Sequence, residues 1–287
     1  MSQLTNLGEN LLADFIRGQG ISLASSFQLG LLTAVSDSSY TEAAWTGYAR
    51  QTVARSLLAW SGTQFAGSTL ASTGTSHQTS NNAAIDFGTV GAGGSATVTH
   101  VGLFTDGELF AYANTPDDSP LVVSDGDPVS LAAGSVVWTL GLTGGLSDYF
   151  SNKLIDLVWR MQSFVMPASM HQCLLTSAPT NAGGGTEVSG GGYLRLAIPS
   201  TMASWSGTQG PGSTTASTGT GGSISNNNAL IYPARTADWG TVVAQAMRDA
   251  STGGNFLFWS SLDVPKTANA GGTPLRFEPG TQLINFA

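Results

Sequence analysis

One stretch occurs twice in this 287-residue chain, and both copies are built from loop-forming residues. The first copy is Trp60-Ser-Gly-Thr-Gln64, Gly67-Ser-Thr-Leu-Ala-Ser-Thr-Gly-Thr75 and Ser80-Asn-Asn82, and the second is Trp205-Ser-Gly-Thr-Gln209, Gly212-Ser-Thr-Thr-Ala-Ser-Thr-Gly-Thr220 and Ser225-Asn-Asn227. Each block of the second copy follows its partner by 145 positions (60 to 205, 67 to 212 and 80 to 225). A gapless match of this length indicates two tandem copies of one domain. We therefore predict similar domains at residues 1–145 and 146–287, joined near Gly141-Leu-Thr-Gly-Gly145.

Each predicted domain opens with apolar residues at helical spacing. In the first domain these are Leu4, Leu7, Leu11, Leu12, Phe15 and Ile16, and in the second they are Phe150, Leu154, Leu157, Val158 and Met161. The stretch Asn10-Leu-Leu-Ala-Asp14 also matches Asn152-Lys-Leu-Ile-Asp156. The pattern predicts one amphipathic helix at the start of each domain.

The pattern in the rest of each domain predicts short strands separated by Gly-rich turns. Predicted strands include 27–33, 97–104 and 109–112 in the first domain, and 170–176, 241–247 and 256–259 in the second. Asp106-Gly107 is a hairpin turn signal, and turns at 132–134 and 278–280 join the last pair of strands in each domain. This pattern predicts a mainly β chain of two tandem antiparallel β-sandwich or barrel domains, each with its N-terminal helix.

Composition argues against several function classes. The net charge is −8 with only two lysines, Lys153 and Lys266, so the chain lacks a basic surface for phosphates and we expect no nucleic-acid partner. No apolar run approaches the roughly 18 residues that a membrane span needs. The N-terminal residues lack an export signal, so we expect synthesis in a cytoplasm and no membrane partner.

The sequence contains no recognisable catalytic motif, so we predict a non-enzymatic protein without catalytic residues, cofactor or metal. Its three histidines, His77, His100 and His171, do not recur between the copies, and Cys173 lies in an apolar run typical of a buried thiol. Acidic residues leave one alternative open: Asp117-Asp118 and Asp125-Gly-Asp127 could supply calcium ligands, or the paired carboxylates of a sugar-cleaving enzyme.

The second half resembles a group of small tailed-bacteriophage virion proteins, labelled phage tail fibre proteins and in several phages found as decoration of the head. The features that carry the resemblance are Asn152, Leu154 and Asp156, then Leu174-Leu-Thr176, 183–195, Ser225-Asn-Asn227, 237–242, 253–259 and Phe277-Glu-Pro-Gly280. The first half follows the same order more loosely, since 88–95 stands where Thr236-Ala-Asp-Trp-Gly240 is expected. The resemblance implies a structural role on the virion surface, and trimers are frequent among such proteins.

The repeated loops are the candidate interaction sites. Each has roughly 20 polar, uncharged residues, and loops of this length in compact domains are usually functional or disordered. Retention of their residues in both copies predicts subunit interfaces, although a shared folding constraint or a recent duplication would explain it equally well. The candidate interface residues are Thr63, Gln64, Ser72, Thr73, Asn81 and Asn82 in the first loop, and Thr208, Gln209, Ser217, Thr218, Asn226 and Asn227 in the second.

These observations lead to a first hypothesis of a head decoration, or cement, protein that contacts the major capsid protein through its two linked domains. Such contacts would depend little on charge, so we expect them to survive high salt. The alternative is a tail fibre, baseplate or neck appendage that takes part in host receptor binding. A third hypothesis, an enzyme acting on surface sugars, requires an activity that disappears when Asp125 or Asp127 is replaced.

Overall fold

The computed structural model describes residues 2–141 and 145–286, so residues 142–144 of the predicted join lie outside the described residues. The chain is mainly β, with antiparallel sheets and two helices, as predicted. The helices are α1 (Asn6–Ile16) and α2 (Asp148–Val158).

The strands of the first half are short, apart from the central one, β2. They are β1 (Ser2–Leu4), β2 (Ser26–Ser36), β3 (Ser39–Glu42), β4 (Gln51–Ala54), β5 (Gln78–Ser80), β6 (Ile85–Thr89), β7 (Ser95–Val98), β8 (His100–Thr105), β9 (Glu108–Asn114), β10 (Leu121–Ser124), β11 (Pro128–Leu131) and β12 (Val137–Thr139). The second half has β13 (Ser169–Leu175), β14 (Leu196–Pro199), β15 (Ser223–Ser225), β16 (Leu230–Ile231), β17 (Gly240–Arg248), β18 (Phe256–Ala268), β19 (Arg276–Phe277) and β20 (Leu283–Asn285).

Each half is built on one larger sheet with two-stranded ribbons beside it. In the first half the order of the sheet is β1-β9-β8-β2-β3, with β4 paired to the other end of β2, and the ribbons are β10–β7, β11–β6 and β12–β5. In the second half the order is β14-β13-β17-β18, with ribbons β15–β20 and β16–β19. The predicted hairpin turn is present, because Asp106 and Gly107 both have positive φ, at 50° and 88°.

The last two strands of each half do not pair with each other, although a turn joins them in sequence. Instead β11 pairs with β6 and β12 with β5. The reason is Asn81, whose carbonyl oxygen accepts from Gly134 N at 2.6 Å and whose Oδ1 accepts from Val136 N at 2.9 Å. Asn226 makes the same two contacts with Gly280 N and Gln282 N. Each asparagine thereby holds the turn against the end of a repeated loop.

The compact units of the structure are divided differently from the sequence repeats. Unit 1 consists of Met1–Glu9, Ser22–Leu140 and Asn152–Phe164, and unit 2 consists of Asn10–Ile21, Gly141–Ser151 and Val165–Ala287. Most of each helix therefore belongs to the unit formed by the sheets of the other repeat. The boundaries 1–145 and 146–287 remain a prediction about the repeat in sequence.

Aromatic rings fill the core of each unit. In unit 1, Phe27 stacks on Phe110 at 5.9 Å and meets Trp60 edge-on at 6.5 Å, while Trp159 from the chain after α2 lies against Phe110 at 6.4 Å. In unit 2, Tyr193 stacks on Tyr232 at 6.0 Å, and Trp239 contacts both rings. The tryptophan that heads each repeated loop is fully buried, which anchors the loop to its core.

Glu9 gives unit 1 a pH-dependent stability. Burial, with a smaller contribution from the charge of Asp37, raises its pKa to about 7. Because the folded state prefers the protonated acid, this group lowers the free energy of unfolding progressively as pH rises from about 4.5 to 7. We expect Glu9→Gln to remove this loss and to stabilise unit 1 at pH 8 by about 1 to 2 kcal/mol after allowing for solvent screening.

Thermal unfolding of Glu9→Gln and wild type at pH 4 to 8 measures this effect. Parallel pH profiles for the two proteins would contradict it.

Among the described residues, no helix has the length and apolar character that crossing a bilayer demands.

Candidate functional site in the repeated loops

The first repeated loop, residues 60–82, closes around three polar residues contributed by α2 and the turn that follows it. Asn152, Asp156 and Arg160 recur every four residues, so they lie on one face. All three are buried, and Arg160 is 0% exposed. Polar side chains are buried at this depth only when their hydrogen bonds are made, and the loop backbone makes them.

Asp156 and Arg160 form the centre of this contact. The Asp156 carboxylate accepts from Ser72 N at 2.9 Å and from Ser72 Oγ at 2.6 Å. Arg160 pairs with Asp156 at 2.6 Å and donates to the carbonyl oxygens of Trp60, at 3.1 Å, and of Leu70, at 2.5 Å. One buried ion pair thus satisfies backbone groups from the start of the loop and from its middle.

Asn152 fixes the middle of the loop. Its Nδ2 donates to the carbonyl oxygen of Gly74 at 3.1 Å, and its Oδ1 accepts a short hydrogen bond from the hydroxyl of Thr63. The same Thr63 oxygen accepts from Gly74 N at 2.8 Å. Two chain segments of the loop are therefore joined to each other and to the helix at one point.

The second repeated loop, residues 205–227, holds the polar face of α1 in the same way within unit 2. Asp14 accepts from Ser217 N at 3.0 Å and from Ser217 Oγ at 2.7 Å, and it pairs with Arg17 at 2.6 Å. Arg17 donates to the carbonyl oxygens of Trp205, at 3.0 Å, and Thr215, at 2.8 Å. Asn10 bonds Gly219 O at 3.2 Å and the hydroxyl of Thr208.

The structure gives most of the predicted interface residues a role inside their own unit. Those that are buried are Thr63, Asn81, Thr208, Ser217, Asn226; those that are half-buried are Gln64, Ser72, Asn82, Asn227; and those that are exposed are Thr73, Gln209, Thr218. The residues that are identical in the two loops thus include those that bind a helix. Their use as subunit interfaces stays a prediction. It concerns mainly the exposed residues Thr73, Gln209 and Thr218, which are accessible to another subunit.

The helix residues of the two contacts were only partly recognisable from the sequence. The Asn and Asp four residues apart in both repeats were visible as a match, but Arg17 and Arg160 stood outside it. Their signal is one arginine in each copy, three or four residues after the aspartate, and both arginines lie just beyond the observed ends of α1 and α2.

A glycine is required where the loop turns back on itself. A Cβ on Gly74 would lie 2.2 Å from the carbonyl oxygen of Thr63, which is backbone that cannot move without breaking the contact with Asn152. We expect Gly74→Ala to destabilise unit 1 by about 2 to 3 kcal/mol. Gly219→Ala, at the matching place in unit 2, should do the same, since its Cβ would meet Thr208 O at 2.2 Å.

Gly20→Ala is the matched control for these variants, because a Cβ there meets nothing within 4 Å. Denaturant unfolding measures all three changes. A Gly74→Ala protein as stable as the control would contradict the expected clash.

The first loop and the residues just before it differ from their counterparts in the second repeat in their exposed apolar side chains. Leu58, Phe65 and Leu70 are 77%, 65% and 72% exposed. The matching positions of the second repeat, 145 residues later, hold Ala203, Gly210 and Thr215. The first repeat therefore exposes three large apolar side chains that the second repeat lacks.

The groups considered for catalysis or metal binding are dispersed. Asp125 accepts from Gly93 N at 3.1 Å and Asp127 from Ser124 N at 2.8 Å, so both cap turns. In the part of the chain that the structure describes, no three His, Cys, Asp or Glu residues form a group able to hold a metal ion. Burial lowers the pKa of His100 and His171 and raises the pKa of the Cys173 thiol.

The two repeats also match one family model separately. The model describes the Podophage GP4 fiber I protein gp80, and it matches residues 3–139 and again residues 145–284. The chain belongs to this family. It is therefore a phage structural protein and a component of the virion, with two tandem copies of the family domain. No curated protein matches the chain.

Proposed function

We propose that this protein is a non-enzymatic subunit of a phage fibre or a related tail appendage. The match of both repeats to a family described as a fiber protein carries the proposal. In each of the two units the repeated loop binds a helix through buried hydrogen bonds, and this would suit a virion component that must stay rigid outside the cell. Catalysis plays no part in this role.

The exposed apolar side chains of the first loop are the proposed contact with another virion subunit. Arg160 holds the backbone of this loop at Trp60 and at Leu70 itself, so a partner surface would contact Phe65 and Leu70 without a large ordering cost. The partner would be another virion protein or a further copy of this chain, with a trimer as one arrangement. Binding through such contacts should survive high salt, because they carry no charge.

Head decoration is the second candidate function. One observation favours it: each unit presents the same helix-bound loop, and two linked copies of one surface could bridge two equivalent sites on a capsid. In that case the major capsid protein would be the partner. Only the position of the chain on the particle separates this role from that of an appendage.

Locating the chain on intact virions tests the proposal. We expect antibody-labelled density on the tail or its fibres, and particles lacking the gene should keep intact heads but lose adsorption. Regularly spaced density over the head, with heads that break more easily when the gene is absent, would instead establish the decoration role.

The double variant Phe65→Gly/Leu70→Thr tests the proposed contact, since it installs the residues of the second loop. It should fold normally but enter virions less efficiently in a complementation experiment. Val122→Thr is the control, because Val122 is a similarly exposed apolar residue on β10. Equal incorporation of the two variants would exclude Phe65 and Leu70 as the contact.

A further inference from the structure

The negative charge of the chain is concentrated in unit 1. This unit holds eleven Asp and Glu residues against four Lys and Arg, a formal charge of −7, whereas unit 2 holds seven against six, a formal charge of −1. Two of the four cations of unit 1, Arg55 and Arg160, are buried. Eight of its eleven acidic residues are exposed, Asp86 and Asp125 among them. Two copies of the chain that approach each other through most of unit 1 therefore repel each other.

One long segment of unit 1 is free of charged residues. Residues 56–85, between Arg55 and Asp86, contain no Asp, Glu, Lys or Arg, and they include the whole first repeated loop. The carboxylate that bonds this loop, that of Asp156, is buried and paired with Arg160 at 2.6 Å. A second copy could contact this segment without facing a charged residue of the segment itself.

An exposed part of the segment carries two large apolar side chains. This loop tip, residues 65–71, reads Phe65-Ala-Gly-Ser-Thr-Leu-Ala71, and all its residues except Ser68 are exposed. Phe65 and Leu70 are 65% and 72% exposed. The counterpart in the second repeat reads Gly210-Pro-Gly-Ser-Thr-Thr-Ala216, so this apolar loop tip occurs once in the chain.

Hydrogen bonds hold the backbone of the loop tip in place. Ser68 N donates to Phe65 O at 3.2 Å, which closes a turn, and Gln64 Nε2 donates to Ser68 Oγ at 2.7 Å. Arg160 Nη2 donates to Ser68 O at 3.3 Å and to Leu70 O at 2.5 Å. Phe65 and Leu70 thus lie on one short, fixed piece of backbone, and little conformational entropy is lost when a partner covers them.

The charge pattern indicates which partner the loop tip fits. A basic partner would be attracted to acidic side chains, and the loop tip has none. A partner that is itself acidic can bind only where both surfaces are neutral, and interfaces between copies of one protein have an apolar centre depleted of charge. Because each chain has one such loop tip, a closed symmetric assembly can bring the same residues of each copy together.

We propose that the loop tip of unit 1 binds the loop tip of a second copy of this chain, so that Phe65 and Leu70 of the copies meet at a symmetry axis. This self-association rests on the subunit contact proposed above and names its partner. The acidic residues of the copies stay outside the contact and oppose association only at longer range.

The sign of the salt dependence tests this self-association. Sedimentation velocity measures it for the purified full chain at about 50 mM and about 500 mM NaCl. We expect a dimer or trimer whose association constant rises about threefold with salt, because salt screens the repulsion between acidic copies and leaves the apolar contact intact. A chain that is monomeric at millimolar concentration, or an oligomer that dissociates as salt rises, would overturn the proposal.

The double variant Phe65→Gly/Leu70→Thr locates the contact. It should weaken self-association at least about tenfold at both salt concentrations, because it removes the large apolar side chains. Val122→Thr changes an exposed apolar residue outside the loop tip and should leave self-association unchanged. Thermal unfolding at the wild-type temperature shows that both variants are folded. Undiminished association of the double variant would assign the contact to a different surface.

A pair of charged variants tests whether the loop tips meet each other. Leu70→Glu and Leu70→Lys each place like charges on both sides of the contact, so either protein alone should associate less than the wild type. An equimolar mixture should recover association, because opposite charges then face each other. A mixture that associates no better than the separate variants would contradict contact between two loop tips.

The self-association can fail without the subunit contact failing. If the chain is monomeric but Phe65→Gly/Leu70→Thr still enters virions poorly, the loop tip contacts a different virion protein, and only the self-association is overturned. If the chain associates through the loop tip but the double variant enters virions normally, the self-association stands, and the role of this contact in incorporation is excluded.

Discussion

Replacing Arg160 with alanine is expected to lower the stability of unit 1 by about 3 to 5 kcal/mol, because it leaves a buried carboxylate without its counter-ion. Arg160 is fully buried and pairs with Asp156 at 2.6 Å. Its loss would also leave the carbonyl oxygens of Trp60 and Leu70 without the hydrogen bonds that they accept from its guanidinium. The loop and the helix would then separate as one event.

Differential scanning calorimetry measures this change, and two further arginine variants make it specific. Arg17→Ala should cause the corresponding loss in unit 2, so the two variants should shift different parts of the transition. Arg276→Ala is the control: Arg276 pairs with Glu278 at 2.6 Å, but both side chains are about half exposed, and we expect no measurable change. Equal unfolding of Arg160→Ala and Arg276→Ala would show that the buried contact does not hold the loop.

A fragment of residues 1–145 is expected to lack a cooperative unfolding transition, whereas residues 1–164 should show one. The shorter fragment holds the first sequence repeat but omits Asn152–Phe164, which belongs to unit 1. It would lose the buried side chains of Ile155, Val158 and Trp159, each contributing about 1.5 to 3 kcal/mol. That sum is comparable to the whole stability of a small domain.

Polar contacts add to the difference between the two fragments. Arg55 Nε donates to Val158 O at 2.6 Å and its Nη2 donates to Leu157 O at 2.7 Å, so the shorter fragment would leave this buried guanidinium without those partners. Circular dichroism melting and size-exclusion chromatography compare the fragments. A cooperative transition for 1–145 at the temperature of 1–164 would mean that the sequence repeats fold as independent domains.

Local signals in the sequence predicted much of the fold. The apolar spacing from Leu4 to Ile16 and from Phe150 to Met161 predicted both helices, since a 3.6-residue period depends only on neighbouring side chains, although Leu4 lies in β1 and Met161 lies beyond the end of α2. Asp106-Gly107 predicted its hairpin for the same reason, because both residues tolerate positive φ. The repeated loops and the family resemblance were equally visible, because similarity between two stretches of one chain needs no coordinates.

Contacts between residues distant in sequence could not be predicted in the same way. The match of Asn10 and Asp14 with Asn152 and Asp156 showed that the helices share a polar face, but not which loop receives it. That choice depends on Arg17 and Arg160 reaching carbonyl oxygens nearly 100 residues or more away in the chain. The pairing of β11 and β12 with other strands depends similarly on Asn81.

The sequence by itself determined the repeated domain, the mainly β class, the two amphipathic helices and the family, because periodicity, turn chemistry and similarity are all properties of the chain order. Only the tertiary structure decided that each loop holds the helix of the other repeat, and that Gln172, Gln245 and Gln282 form one buried hydrogen-bonded network. These are matters of three-dimensional proximity: the residues are far apart in sequence, and only packing brings their hydrogen-bonding groups within bonding distance of each other.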